Sequence, residues 1–315
     1  MGLALKRQVA RLTHSDNALL SSDIPKEHLY ATLFLRVSGI LTVTAAITLR
    51  ENNILNLIKN IQIKMEGAVT LKNFSGVNAF LAAKYEDMTQ PVLSAPATAD
   101  GANAFNAVIP ISFALPPSYS QQNRFSTLMD SSLFKSLQIL ITTGDADDIF
   151  SAGTATLSSV VYEIQSSELT GITNRIVDSN FESQQDKNFT SASTNLEHEM
   201  PVDGSLYRRF GIRVNDNGAQ SDTMLNRIKL KANGTNILVD LAWDELLDIN
   251  KRVYRQESLS TGYAILNLDE RFLGAEMINT KKLSSLTLVY DVDASTAGII
   301  EVVPSTLVMH PSKIK

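Results

Sequence analysis

Residues 206–214 read Leu-Tyr-Arg-Arg-Phe-Gly-Ile-Arg-Val, and residues 29–37 read Leu-Tyr-Ala-Thr-Leu-Phe-Leu-Arg-Val. Both fit the template Leu-Tyr-x-x-apolar-x-aliphatic-Arg-Val, and their first residues stand 177 positions apart in a chain of 315. A repeat at more than half the chain length points to a duplicated domain. The match extends upstream, where Pro25 precedes Leu29-Tyr30 and Pro201 precedes Leu206-Tyr207, with Leu20 and Leu196 each five residues before the proline.

It also extends downstream. Residues 57–67 and 224–234 alternate apolar and polar positions (Ile61, Ile63, Met65 against Ile228, Leu230, Ala232) and end in Glu66-Gly67 and Asn233-Gly234. Alternation with period two is a half-buried strand, and the terminal dipeptides suit a tight hairpin with positive φ. The period then changes to that of a helix: Phe74, Val77, Phe80, Leu81 and Tyr85 match Trp243, Leu246, Ile249, Asn250 and Tyr254. In the second helix Asp244 and Glu245 occupy the first turn, where carboxylates suit the helix dipole. Residues 104–115 correspond to 262–272, Ser136 to Ile141 correspond to Ser285 to Tyr290, and the strand after Ala152-Gly153 corresponds to the one after Ala297-Gly298. Residues 89–101 have no counterpart and read as a surface insertion, and residues 38–56 read as a second long loop.

About eight strands and one helix per half, without helical crossovers, describe an all-β fold of antiparallel sandwiches. The expected architecture is two tandem eight-stranded jelly rolls, each with an inserted α-helix. The expected organisation is a basic N-terminal arm (1–12), a first jelly roll (13–169), a connector (170–188) and a second jelly roll (189–315). The arm carries Lys6, Arg7 and Arg11, and the spacing of Leu5, Val9 and Leu12 predicts a short amphipathic helix.

Composition narrows the function. With 28 basic and 33 acidic residues the formal charge is −5, which disfavours a generic polyanion binder. The absence of cysteine excludes disulfides and thiolate metal sites. No apolar run approaches the roughly 20 residues that span a bilayer, so the chain is expected to be soluble and made in a cytoplasm. No nucleophile elbow, HExxH or phosphate-cradling glycine loop is present. The four histidines, His14, His28, His198 and His310, are unpaired on strands, which counts against a two-domain cupin metalloenzyme. His198, between Glu197 and Glu199, reads as a solvated strand residue. An aromatic content of 7% counts against a tandem β-sandwich that binds carbohydrate or mediates adhesion. Asp145, Asp147 and Asp148 form a candidate weak cation site, a structural calcium by the hardness of its oxygens, although their spacing departs from an EF-hand and a solvated turn explains them as well. Arg36 and Arg213, equivalent by the repeat, are expected to form a salt bridge inside each roll in preference to a contact with a neighbouring copy, and Trp243 is expected in the core.

The paired Pro-then-Leu-Tyr openings resemble the double jelly-roll major capsid proteins of icosahedral, often lipid-containing viruses, the tectivirus, corticovirus and adenovirus-hexon lineage with the flavobacterial lipid-containing phage group. So do the Lys-x-x-Gly hairpin leading to Trp243-Asp-Glu-Leu-Leu, Leu286-Thr-Leu-Val-Tyr-Asp291 and Glu301-Val-Val. The resemblance implies a structural protein without catalysis or cofactor, a homotrimer whose six rolls make a pseudo-hexagonal tile, and contacts with neighbouring capsomers, minor capsid or penton proteins and an internal lipid membrane. It implies no sequence-specific nucleic-acid partner. It places the protein in a virion capsid assembled in a host cytoplasm, with Lys6, Arg7 and Arg11 facing the membrane or interior, and with residues 38–56 and 89–101 outside or between capsomers. The longest tower insertions of that lineage are absent.

Overall fold

The computed structural model describes residues 3–26, 28–86, 91–170, 178–256, 258–269, 271–272 and 276–308. The chain divides into two compact units, Met1–Asn180 and Phe181–Lys315. In the first, the main strands are β1 (Leu3–Thr13), β2 (Leu19–Asp23), β3 (Leu29–Leu49), β4 (Ile58–Met65), β5 (Val69–Phe74), β6 (Gly101–Ser112), β7 (Leu137–Thr143) and β8 (Phe150–Thr170), with helix α1 (Gly76–Glu86) after β5. The order β1-β8-β3-β6 makes one antiparallel sheet and β2-β7-β4-β5 the other.

The second unit repeats this plan with β9 (Gln185–Phe189), β10 (Ser193–Met200), β11 (Leu206–Asp216), β12 (Leu225–Ala232), β13 (Asn236–Ala242), helix α2 (Trp243–Tyr254), β14 (Tyr263–Asn267), β15 (Leu286–Val292) and β16 (Gly298–Val308). Its sheets are β9-β16-β11-β14 and β10-β15-β12-β13. Each unit therefore crosses between two four-stranded sheets in the same order, which is the jelly-roll winding. The faces that meet are apolar: Leu33, Leu35, Ile61, Ile63, Ile139 and Tyr162 in the first roll, Phe210, Ile212, Ile228, Leu230, Leu288 and Tyr290 in the second.

Duplication reaches single hydrogen bonds. Glu66 and Gly67 have φ of 52° and 71°, and Asn233 and Gly234 have 52° and 78°, so both hairpins turn through two left-handed residues. The Glu66 N–H donates to the Ser136 carbonyl (3.1 Å) and the Asn233 N–H to the Ser285 carbonyl (3.0 Å). Helix α2 starts on Glu245, whose carboxylate accepts the Ala242 N–H (2.9 Å). It is tied to β14 by the buried Asn250, whose amide exchanges hydrogen bonds with the Ile265 backbone (2.7 and 2.8 Å) much as a neighbouring strand does.

Three expectations are corrected. Residues 3–13 are no helical arm: they form β1, paired along its length with β8, because the unsatisfied edge of a long strand outweighs a weak 3.6-residue stripe. Residues 38–49 are strand, the outer part of β3, where β-branched Val43, Thr44, Ile47 and Thr48 continue the ladder with β8. Residues 185–189, counted in the connector, are the first strand of the second roll. Residues 171–177 lie outside the described residues, as do 89 and 90 of the expected insertion and His310.

Candidate functional site

The repeated Leu-Tyr and Arg-Val have one job in each roll. The Tyr30 hydroxyl donates to the Pro25 carbonyl (2.5 Å) and the Tyr207 hydroxyl to the Pro201 carbonyl (2.8 Å), which pins the turn ahead of the central strand. Burial, with the Glu168 charge behind it, pushes the Tyr30 hydroxyl up to about 12, so it remains a donor at any working pH. Four residues beyond each Tyr-x-x motif stands the repeated arginine. Register pairs Arg36 with Glu163 and Arg213 with Glu301, and both pairs are ion pairs, at 3.5 and 2.5 Å.

Their surroundings differ. The Arg36 side chain is 46% exposed, and its Nε turns to Asn106 (3.0 Å). The Arg213 side chain is 11% exposed, grips Glu301 through Nε and Nη2, and shares that carboxylate with Asn215 (3.0 Å) and Gln184 (3.2 Å). Arg208 and Arg209, next to Tyr207, are also buried: Arg208 donates to Ser305 (2.9 Å) and Arg209 to Glu182 (2.7 Å). Two buried arginines side by side give no sequence signal, because an Arg-Arg dipeptide in a strand reads as solvent-facing.

Of the N-terminal bases, Lys6 is exposed, Arg7 binds the fully buried Glu168 through Nε (3.1 Å) and Nη2 (3.3 Å), and Arg11 lies 3.7 Å from Glu163. The hydrogen bond to Glu168 raises the Arg7 guanidinium further above its usual range. Glu168 also accepts the Ser166 hydroxyl and lies 3.7 Å from His28. The strand thus brings Arg7 and Arg11 to carboxylates of β8.

Asp145, Asp147 and Asp148 surround a single 3₁₀ turn. Asp145 caps it, accepting from the Asp147 N–H (3.1 Å) and from Asn17 (2.7 Å); Asp148 accepts the Asp145 N–H (3.0 Å) and pairs with Lys59. The Asp145 and Asp148 oxygens are thus engaged by backbone donors of the turn and by Asn17 and Lys59. Among the described residues no three His, Cys, Asp or Glu side chains are grouped to hold a metal ion.

His14 bonds Tyr162 (3.0 Å) and Asp16 (2.8 Å). His198 differs from its expected solvated state: it is buried on β10, 3.4 Å from the Tyr290 hydroxyl, because even-numbered residues of that strand face the core. Burial first, and then the Lys187 charge, lowers its pKa, while Asp186 opposes weakly. An imidazole with a depressed folded pKa binds its proton more readily when unfolded. Its contribution is complete above the unfolded value of about 6.5 and is lost as pH falls below it. Wild-type stability, followed by urea unfolding, should therefore fall between pH 7 and 5 with a slope of at most about 1.4 kcal/mol per pH unit from this residue; His198→Gln should remove that part of the slope, and an unchanged slope would assign it elsewhere. Trp243 is buried in the second core, its indole N–H toward Asp222 (3.4 Å).

No protein-family model matches the chain, and no curated protein matches its sequence. Solved structures match along its whole length. The STIV MCP shares 14% identity over 99% of this chain and 98% of its own, with a TM-score of 0.79. The major capsid protein of bacteriophage PM2 shares 12% over 98% and 99% (TM-score 0.67), and the Faustovirus major capsid protein 7% over 98% and 91% (TM-score 0.62). At these identities the likeness is one of fold. The chain is a double jelly roll, wound from end to end as these viral capsid proteins are.

Proposed function

We propose that the chain is a major capsid protein, a structural building block of an icosahedral virion rather than an enzyme. The observation that carries this reading is the pair of equivalently wound rolls that takes up the whole described chain. A ring of three such chains presents six similar domains, so three-fold symmetry approximates six-fold and the tile can pave a shell. The whole-length likeness to capsid proteins supports it. Its partners are then further copies of itself, within a trimer and between neighbouring capsomers. Of the three N-terminal bases, Lys6 and Arg11 are exposed and available to an internal membrane, whereas Arg7 is held by the buried Glu168.

Light scattering on the purified protein tests the reading. The 34.5 kDa chain should elute at three times its mass at micromolar concentration. A single-chain mass that persists at high concentration would contradict it.

A further inference from the structure

The two rolls differ in what lies over the outer face of the sheet that carries the repeated strand. Register aligns that face in rows. In the second roll one row is Asp186, Glu301, Arg213 and Tyr263, and the next runs through Val303, Gly211 and Ile265. Glu301, Arg213, Tyr263, Val303 and Gly211 are buried. A side chain at Gly211 would meet the Tyr263 hydroxyl at 2.9 Å and Arg209 Nη1 at 3.1 Å, and Glu182 and Gln184 reach in from the side to Arg209 and Glu301. The face is closed.

In the first roll the matching rows are Arg11, Glu163, Arg36 and Val108, then Gln8, Gln165, Phe34 and Pro110. Phe34 stands where the second roll has Gly211. Gln8, Arg11, Arg36 and Gln165 are exposed, Phe34, Val108 and Pro110 half-exposed, and a groove of about 470 Å³ runs beside Arg7, Phe34, Val108 and Gln165. An antiparallel sheet can keep one face in water, but that face is then normally polar. Here the central row has an aromatic ring and a proline beside two uncharged amides.

Resting on the capsid reading, we propose that this face of the first roll, centred on Phe34, is where a second copy of this chain docks. The equivalent face is covered in the second roll, so this open one is the unmatched half of a repeated design. Charge agrees: Arg11 and Arg36 against Glu163 leave the outer row at +1, so the rest of the chain, at −6 of its −5 total, is on balance attracted to it. Size agrees too. Four strands about 4.8 Å apart, two of them long, give a face of the order of 15 by 50 Å, close to the roughly 800 Å² per partner of a stable interface. Because the outer row carries net positive charge, a copy of the same face is disfavoured as its partner; the contact then joins unlike surfaces, which close into a ring when the rotation between copies allows it.

The test uses the full chain. Phe34→Glu should lower the light-scattering mass from three chains to one, with at least ten-fold weaker association and with far-ultraviolet circular dichroism and Trp243 emission unchanged. Should that variant misfold, Gln165→Cys offers a single thiol in a cysteine-free chain at an exposed position; coupling it to a polyethylene glycol maleimide should also leave one-chain particles. If the wild type is a trimer and either folded variant remains one, the inference is overturned while the capsid reading stands. A wild type that is itself a single chain overturns both.

Discussion

Glu301→Ala should destabilise the second roll by about 3–5 kcal/mol, because it strands the Arg213 guanidinium in a site from which water is excluded. The equivalent change in the first roll, Glu163→Ala, should cost no more than about 1 kcal/mol, since Arg36 is nearly half exposed and can be solvated. The same pair, at the same register of the same fold, thus has two different weights. Trp243 is the chain's single tryptophan and lies in the second core, so its emission during urea unfolding follows that roll selectively. The double replacement Arg213→Met with Glu301→Leu should recover part of the loss, because the apolar pair carries no buried charge, while the Asn215 and Gln184 amides lose their shared acceptor. Equal small losses at Glu163 and Glu301 would show that Arg213 reaches water.

Deleting residues 1–13 should be at least as damaging. It removes β1, bares the edge of β8 and leaves the Glu168 carboxylate buried without Arg7. With only His28 and the Ser166 hydroxyl left beside that carboxylate, its weakened compensation is worth up to roughly 3–5 kcal/mol, which for a unit of this size lowers the melting temperature by about 6–20 °C. Adding Glu168→Gln to the truncation should restore part of the loss, which a merely shortened strand does not explain. A truncated protein that melts with the intact one would mean that the segment is the detachable arm its composition suggests.

The sequence showed most where the chain repeats itself. Leu-Tyr, Arg-Val, the Glu66-Gly67 and Asn233-Gly234 turns and the two helices were all legible, because each serves the same local geometry twice and selection had the same residues to work with. β1 and β9 were not. Leu-Ala-Leu-Lys-Arg-Gln-Val-Ala-Arg-Leu-Thr and Gln-Asp-Lys-Asn-Phe share nothing, since an edge strand needs only backbone pairing and its side chains are free to diverge. The alignment of the last strands slipped for a related reason. Matching Gly153 to Gly298 gives an offset of 145, whereas the ion pairs make Glu163 equivalent to Glu301, an offset of 138. The difference is the outward extension of β3 and β8, each 21 residues against 11 for β11 and β16.

The ionic sites followed a similar rule. That Arg36 and Arg213 form ion pairs within each roll followed from the repeat, but that one is exposed and the other buried did not, because burial depends on what covers the outer face. The same holds for Arg208, Arg209 and His198, polar residues whose depth is set by tertiary packing. Lys6, Arg7 and Arg11 read as one basic cluster along the chain, and strand geometry separates them by pointing Arg7 and Arg11 at different carboxylates.

Electron microscopy of the purified oligomer tests the central claim most directly. The duplicated rolls predict particles with three-fold symmetry and a pseudo-hexagonal outline, six similar densities around a ring. Isolated two-lobed particles, or a dimer with two-fold symmetry, would contradict it.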